Sequence, residues 1–124
     1  MEIRFSSDAH RDFYEDMLGK CRKQDSYHQA FFYVMGLTND TRVHVNEVFD
    51  FQEDCIIPEG LTAGWQTGGS IRVCRMALNL WNGYTEAPGD EFTPEALFCC
   101  EFASYFVEAL KLRYPEYMEP VRLS

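Results

Sequence analysis

A glycine-rich turn, Gly64-Trp65-Gln66-Thr67-Gly68-Gly69-Ser70, runs straight into a segment with the periodicity of an amphipathic helix. Free backbone N–H groups at a helix start, aligned with the helix dipole, can hold a phosphate or carboxylate. One face of the same helix carries Arg72, Arg75, Asn79 and Asn82 within a narrow arc, a cationic and amide stripe suited to a small anion. Trp65, Gln66, Ser70, Arg72, Arg75 and Asn79 are therefore the candidate ligand-binding set. Two features weigh against a nucleotide. The turn lacks the lysine that follows the glycine of phosphate-binding loops, and no clear strand precedes it. Gly68 and Gly69 are better accounted for by a tight turn with close packing. An arginine stripe more often pairs with a neighbouring carboxylate or meets solvent.

Other chemistry finds less support. Nucleophilic catalysis through Ser70 or a cysteine needs a base within reach, and the chain places none of His10, His28 and His44 beside either. Cys21, Cys55, Cys74, Cys99 and Cys100 show no CxxC pair and no regular spacing, and most lie in apolar helical patterns where a thiol acts as a small hydrophobe. Reduced thiols, no metal site and no cofactor are the expectation. The adjacent carboxylates Glu53 and Asp54, or Asp90 and Glu91, fall in loops, where solvent gives no cause for a shifted pKa. No residue is assigned a catalytic role.

The charge balance is more informative. Twenty Asp and Glu against eleven Lys and Arg give a net charge of −9, which opposes direct binding to a phosphate backbone. No Lys or Arg occurs from Val43 to Ile71, where Glu47, Asp50, Glu53, Asp54 and Glu59 fall. A second gap, Met76 to Leu110, carries Glu86, Asp90, Glu91, Glu95, Glu101 and Glu108. Such runs ordinarily serve as a solvated surface. The sharper reading is an acidic face that enters a basic groove on a protein partner, with Glu53, Asp54, Glu59, Asp90, Glu91 and Glu95 as contact candidates. No apolar run nears the roughly 18 to 20 residues of a membrane span, and the N-terminus lacks a signal-peptide pattern, so a cytoplasmic location without membrane contact is expected.

The elements that must position these residues read as one all-α domain spanning residues 1–124, with about five helices and a long packed loop before the central one. Ser6 or Ser7 caps the first helix, which ends near Lys23, and the second runs from Ser26 to Gly36. Asn39 or Asp40 caps a third that turns Val43, Val48 and Phe49 inward; alternatively Thr41 to Asn46 alternates as a strand of a short hairpin. From Phe51 to Gly69 glycines and Pro58 punctuate a loop anchored by Ile56, Ile57, Leu61 and Trp65. The fourth helix runs from Ser70 to Gly83, burying Ile71, Leu78 and Trp81. The fifth opens with Thr93 at the cap and Pro94 at its first position and continues unbroken to Tyr114.

In the blocks Gly64 to Val73, Ala77 to Tyr84, Ala30 to Gly36, Val48 to Phe51 and Glu108 to Tyr114 the chain resembles an uncharacterised family of small proteins from Firmicutes genomes, their prophages and other mobile elements. That family has no assigned catalytic residues, so the resemblance transfers no site. It implies a genomic setting in which small acidic proteins frequently inhibit host defence, and anti-CRISPR proteins are similar in size and charge. The resulting expectation is a protein-interaction module, with a CRISPR effector nuclease as a candidate partner. The alternative is a small-ligand binder or enzyme centred on the turn from Trp65 to Arg75.

Overall fold

The computed structural model describes residues 2–123. It contains six α-helices and one very small hairpin in the order α1 (Asp8–Gly19), α2 (Ser26–Met35), α3 (Asn39–Val43), β1 (Phe49–Asp50), β2 (Cys55–Ile56), α4 (Gly68–Asn82), α5 (Pro94–Phe98) and α6 (Ala103–Arg113). Short 3-10 turns at Val45–Glu47, Pro58–Thr62, Asp90–Phe92 and Pro115–Tyr117 join them. The chain is thus mostly helical, as its patterning implies.

Local signals fix most helix ends. The Ser7 side chain accepts from the His10 N–H, and α1 then buries His10, Phe13, Tyr14 and Met17 along one stripe. The helix stops at Gly19, earlier than Lys23, because the Gln24 side-chain amide donates to the carbonyls of Leu18 and Cys21 at 2.9 and 2.8 Å. Asp25 caps α2 by accepting from the His28 N–H. Ala30 to Met35 are all completely buried, since α2 lies at the centre with α1, α4 and α6 packed around it. An element buried on every side loses its amphipathic period, so the run Phe31 to Met35 by composition alone would suit a strand as well as a helix.

After α2 the chain departs from expectation. Thr38, not Asn39 or Asp40, caps α3, and the helix is held by Thr41 Oγ1 and Arg42 Nη1 donating to the carbonyls of Met35 and Gly36 at 2.6 and 2.7 Å. These bonds satisfy the last carbonyls of α2. Val43 is consequently turned outward, while Val45, Val48 and Phe49 are buried. Thr41 to Asn46 forms no strand. The hairpin lies further on, with Phe49 opposite Ile56 and Asp50 opposite Cys55, and the Asp50 carboxylate accepts from the N–H groups of Gln52 and Glu53 across its tip. Asp54 closes that tip at a φ of 57°, in the left-handed region.

The loop from Ile57 to Gln66 is packed. At Gly60 an added Cβ would lie 2.5 Å from the Glu47 carbonyl oxygen, so only glycine admits this approach. Helix α4 begins at Gly68, two residues before Ser70, through a reciprocal cap in which Thr67 and Ser70 each accept from the other's backbone N–H. It ends at Gly83, whose φ of 78° suits a glycine terminator. Neither Gly68 nor Gly69 has positive φ. Val73, Cys74, Ala77 and Leu78 of α4 are completely buried, whereas Ile71 and Trp81 are only half-buried at its edge.

The predicted fifth helix is two helices. Thr93 caps α5 and Pro94 opens it, but Cys99 leaves helical geometry at φ −80°, ψ 63° and α6 begins only at Ala103. Leu97-Phe98-Cys99-Cys100-Glu101-Phe102 is apolar round too much of its circumference for one face. The break lets Leu97 from α5 and Phe106 and Ala109 from α6 all enter the core. Arg113 at the end of α6 donates to the Leu80 carbonyl at 2.7 Å, tying α6 to α4.

Candidate functional site

The residues expected to bind a small anion engage different partners. Gln66 donates to the Gly60 carbonyl at 3.0 Å and accepts from Ser70 Oγ at 2.6 Å, so these two meet inside the capping turn of α4. Trp65 stacks flat on His44, with ring centroids 4.3 Å apart, and donates to Glu47 at 3.2 Å. Arg72 donates to the Cys99 carbonyl at 3.3 Å, Arg75 to Glu91 at 3.2 Å, and Asn79 to the Tyr84 carbonyl at 3.1 Å. Arg75 Nε is buried with no hydrogen-bond partner.

The six acidic candidates are all exposed. Glu53 and Asp54 sit at the hairpin tip, Glu59 on the 3-10 turn after it, Asp90 and Glu91 on the turn before α5, and Glu95 in the first turn of α5. Both of those turns, Pro58–Thr62 and Asp90–Phe92, pack against α4. The two cation-poor segments approach each other at Tyr84, whose hydroxyl donates to Glu86 at 2.8 Å. That bond, slight burial, and the charges of Glu86 and Glu59 together raise the phenol's pKa. Asp54 and Glu91 have partners in His28 and Arg75; among the described residues Glu53, Glu59, Asp90 and Glu95 make no ion pair.

The strongest concentration of chemistry involves residues that the sequence did not associate. His28, in the first turn of α2 and 3% exposed, has Nδ1 at 2.7 Å from Asp25 Oδ1 and Nε2 at 2.7 Å from Asp54 Oδ1. The ring stands edge-on to Trp81, 4.9 Å between centroids. Cys21 comes from the turn after α1, and its Sγ, a His28 ring nitrogen and an Asp54 oxygen lie within 4.8 Å of one another. Beside them opens a cavity of about 440 Å³ whose walls include Cys21, Phe51 and Asp54.

Burial, the largest single influence, pulls the His28 pKa down, but the bonds and charges of Asp54 and Asp25 outweigh it and hold it above the ordinary histidine value. For Asp25 burial acts upward and the His28 contacts again prevail, leaving the carboxyl below its usual range. Burial, then the charges of Asp54 and Asp25, pushes the Cys21 thiol up to about 11. A thiol so disposed stays protonated near neutrality, which argues against a nucleophilic cysteine paired with His28. The donor set of sulfur, imidazole and carboxylate is instead of a kind that could hold a metal ion. The expected start of this helix at Ser26 passes over Asp25, although an Asp directly before a helix is a capping signal; Asp54 is distant in the chain and nothing local points to it.

The fold and surface define a small, mostly helical, acidic protein organised around the buried helix α2. The chain belongs to the Family of unknown function (DUF6075), which matches residues 1–123. No curated protein and no solved structure matches it. Among the described residues no helix is long and apolar enough to cross a membrane.

Proposed function

We propose that the protein is an interaction module whose acidic face enters the basic groove of a nucleic-acid-handling protein. The observation that carries this reading is an asymmetry in how charge is used. Arg42, Arg72 and Arg113 point at backbone carbonyls and Arg75 is drawn to Glu91, so these four cations are absorbed by the fold, while Lys20, Arg22 and Lys23 stay exposed beside the hairpin tip. Among the described residues Glu53 at the hairpin tip, Glu59 and Asp90 on turns packed against α4, and Glu95 in the first turn of α5 are exposed and make no ion pair. The net charge of −9 is thereby left on the outside, where it attracts a basic partner over a distance.

The mobile-element resemblance suggests a CRISPR effector nuclease as the first partner to test. Inhibition of target cleavage by purified protein, lost when Glu53, Glu59, Asp90 and Glu95 are all changed to Lys with the circular dichroism melt preserved, is the supporting result. Unchanged inhibition or partner capture by the reversed protein rejects the reading. The alternative, a small-anion site near Arg75, draws on the buried, partnerless Nε of that residue. It requires phosphate or a dicarboxylate to raise Tm in the wild type and not in Arg75→Ala.

A further inference from the structure

We propose that Cys21, His28 and Asp54 form a binding site for a divalent transition metal, zinc by its donor chemistry, with Asp25 as the residue that orients the imidazole. The geometry carries this. Three donors of different type, from the turn after α1, the first turn of α2 and the hairpin tip, converge within 4.8 Å. Ligands around one tetrahedral zinc ion, at bond lengths of about 2.0 to 2.3 Å, stand about 3 to 4 Å from one another. No separation needs to close by more than about 1 Å, and His28 Nε2 and Asp54 Oδ1, now 2.7 Å apart, must part by about half an ångström as their hydrogen bond opens to admit the ion.

The surroundings fit the same use. Metal-bound histidines characteristically donate their second ring N–H to a carboxylate, which fixes tautomer and orientation. Asp25 Oδ1 sits 2.7 Å from Nδ1, which leaves Nε2 as the coordinating nitrogen. Asp25 is itself held in place as the cap of α2. The carboxylates of Asp25 and Asp54, each against the imidazole, favour a dication there, while Arg22 and Lys23 line the adjoining cavity. On coordination the thiol proton and any proton on Nε2 pass to solvent, and the sulfur and nitrogen lone pairs go to the metal, with no change of oxidation state. The neighbouring cavity of about 440 Å³ supplies room for water at the fourth position. Lys20 lines that cavity too, but its ammonium lies over the Phe51 ring.

The test is titration of the reduced full-length chain with Zn²⁺ and with Co²⁺. One Co²⁺ per chain should bind with the thiolate-to-cobalt charge-transfer band and the intense visible bands of a tetrahedral site, and Zn²⁺ should displace it. Cys21→Ser should abolish the charge-transfer band, whereas Cys55→Ser, on the adjacent strand, should leave it intact. Asp54→Asn should weaken binding at least tenfold, and Asp25→Asn, which keeps a capping residue, by about 10- to 100-fold with the band retained. Apo circular dichroism spectra matching the wild type establish that each variant folds. Absence of stoichiometric binding by either metal, or a charge-transfer band that survives Cys21→Ser, overturns the assignment. The readouts are independent of any protein partner.

Discussion

His28 Nε2 lies 2.7 Å from Asp54 Oδ1, a bond that fastens the hairpin tip to the first turn of the central helix. It joins a nearly buried ring to an exposed carboxylate whose backbone sits at a φ of 57°. Asp54→Ala should destabilise the metal-free protein by about 1 to 3 kcal/mol, because a buried donor loses its acceptor. Asp54→Gly loses the same bond but relieves the left-handed backbone, so it should fall between the two. Urea denaturation checks the order, and an alanine variant as stable as the wild type would show that the bond contributes nothing.

His10 provides a pH prediction. Its ring is completely buried, with Nε2–H donating to the Tyr33 carbonyl at 2.6 Å and Nδ1 accepting from the Ser6 N–H at 3.0 Å. Burial lowers its pKa from 6.5; the Tyr33 carbonyl acts in the opposite direction and the Arg42 charge adds to the lowering. The unfolded chain therefore binds this proton more readily than the folded one. The stabilisation is complete above about pH 6.5 and declines as pH falls through that value toward the folded pKa. His28 contributes in the opposite sense, its stabilisation being lost as pH rises through its raised pKa. A residue-resolved probe is needed to separate them. NMR titration should place the His10 midpoint below 6.5 and that of His28 above it in metal-free protein; the reverse order would refute the assignment.

Two glycine substitutions should differ in sign. Gly60→Ala forces a methyl to 2.5 Å from the Glu47 carbonyl oxygen and should cost about 1 to 3 kcal/mol. Gly68, in the first turn of α4, faces open space and lacks positive φ, so Gly68→Ala should be neutral or stabilise by up to about 1 kcal/mol. Thermal unfolding of the pair decides it, and similar losses in both would contradict the close approach at Gly60.

If the acidic face drives association, the on-rate with a basic partner should fall steeply as salt rises from about 0.01 to 0.15 M, because the screening length shrinks from about 30 to 8 Å. The dissociation rate should change far less. Surface plasmon resonance separates the two, and an on-rate insensitive to salt would assign the acidic surface to solubility alone.

Where a residue's job involves only its immediate neighbours in the chain, much was legible in the sequence, although the caps Thr38 and Thr67 were passed over for residues just after them. Ser7 and Thr93 as caps, Pro94 at a first helical position, Gly83 as terminator and the apolar face of α4 act within one or two turns, so their chemistry is written locally. The predominance of helix and the net negative charge follow from the same kind of information. Tertiary packing decided the rest. Cys99 to Phe102 contains neither glycine nor proline to mark a break, and the helix is interrupted because two apolar faces must reach one core. The hairpin lies at Phe49 to Ile56 and not at Thr41 to Asn46, because Thr41 and Arg42 are committed to the end of α2. The candidate ligand set around Trp65 to Asn79 was correctly placed on one turn and helix, yet its side chains bond to Gly60, Glu47, Cys99, Glu91 and Tyr84, groups that helical spacing alone does not reveal. The His28 cluster is the plainest case: Asp54 lies 26 positions from His28, and only the folded path of the hairpin brings its carboxylate to the imidazole.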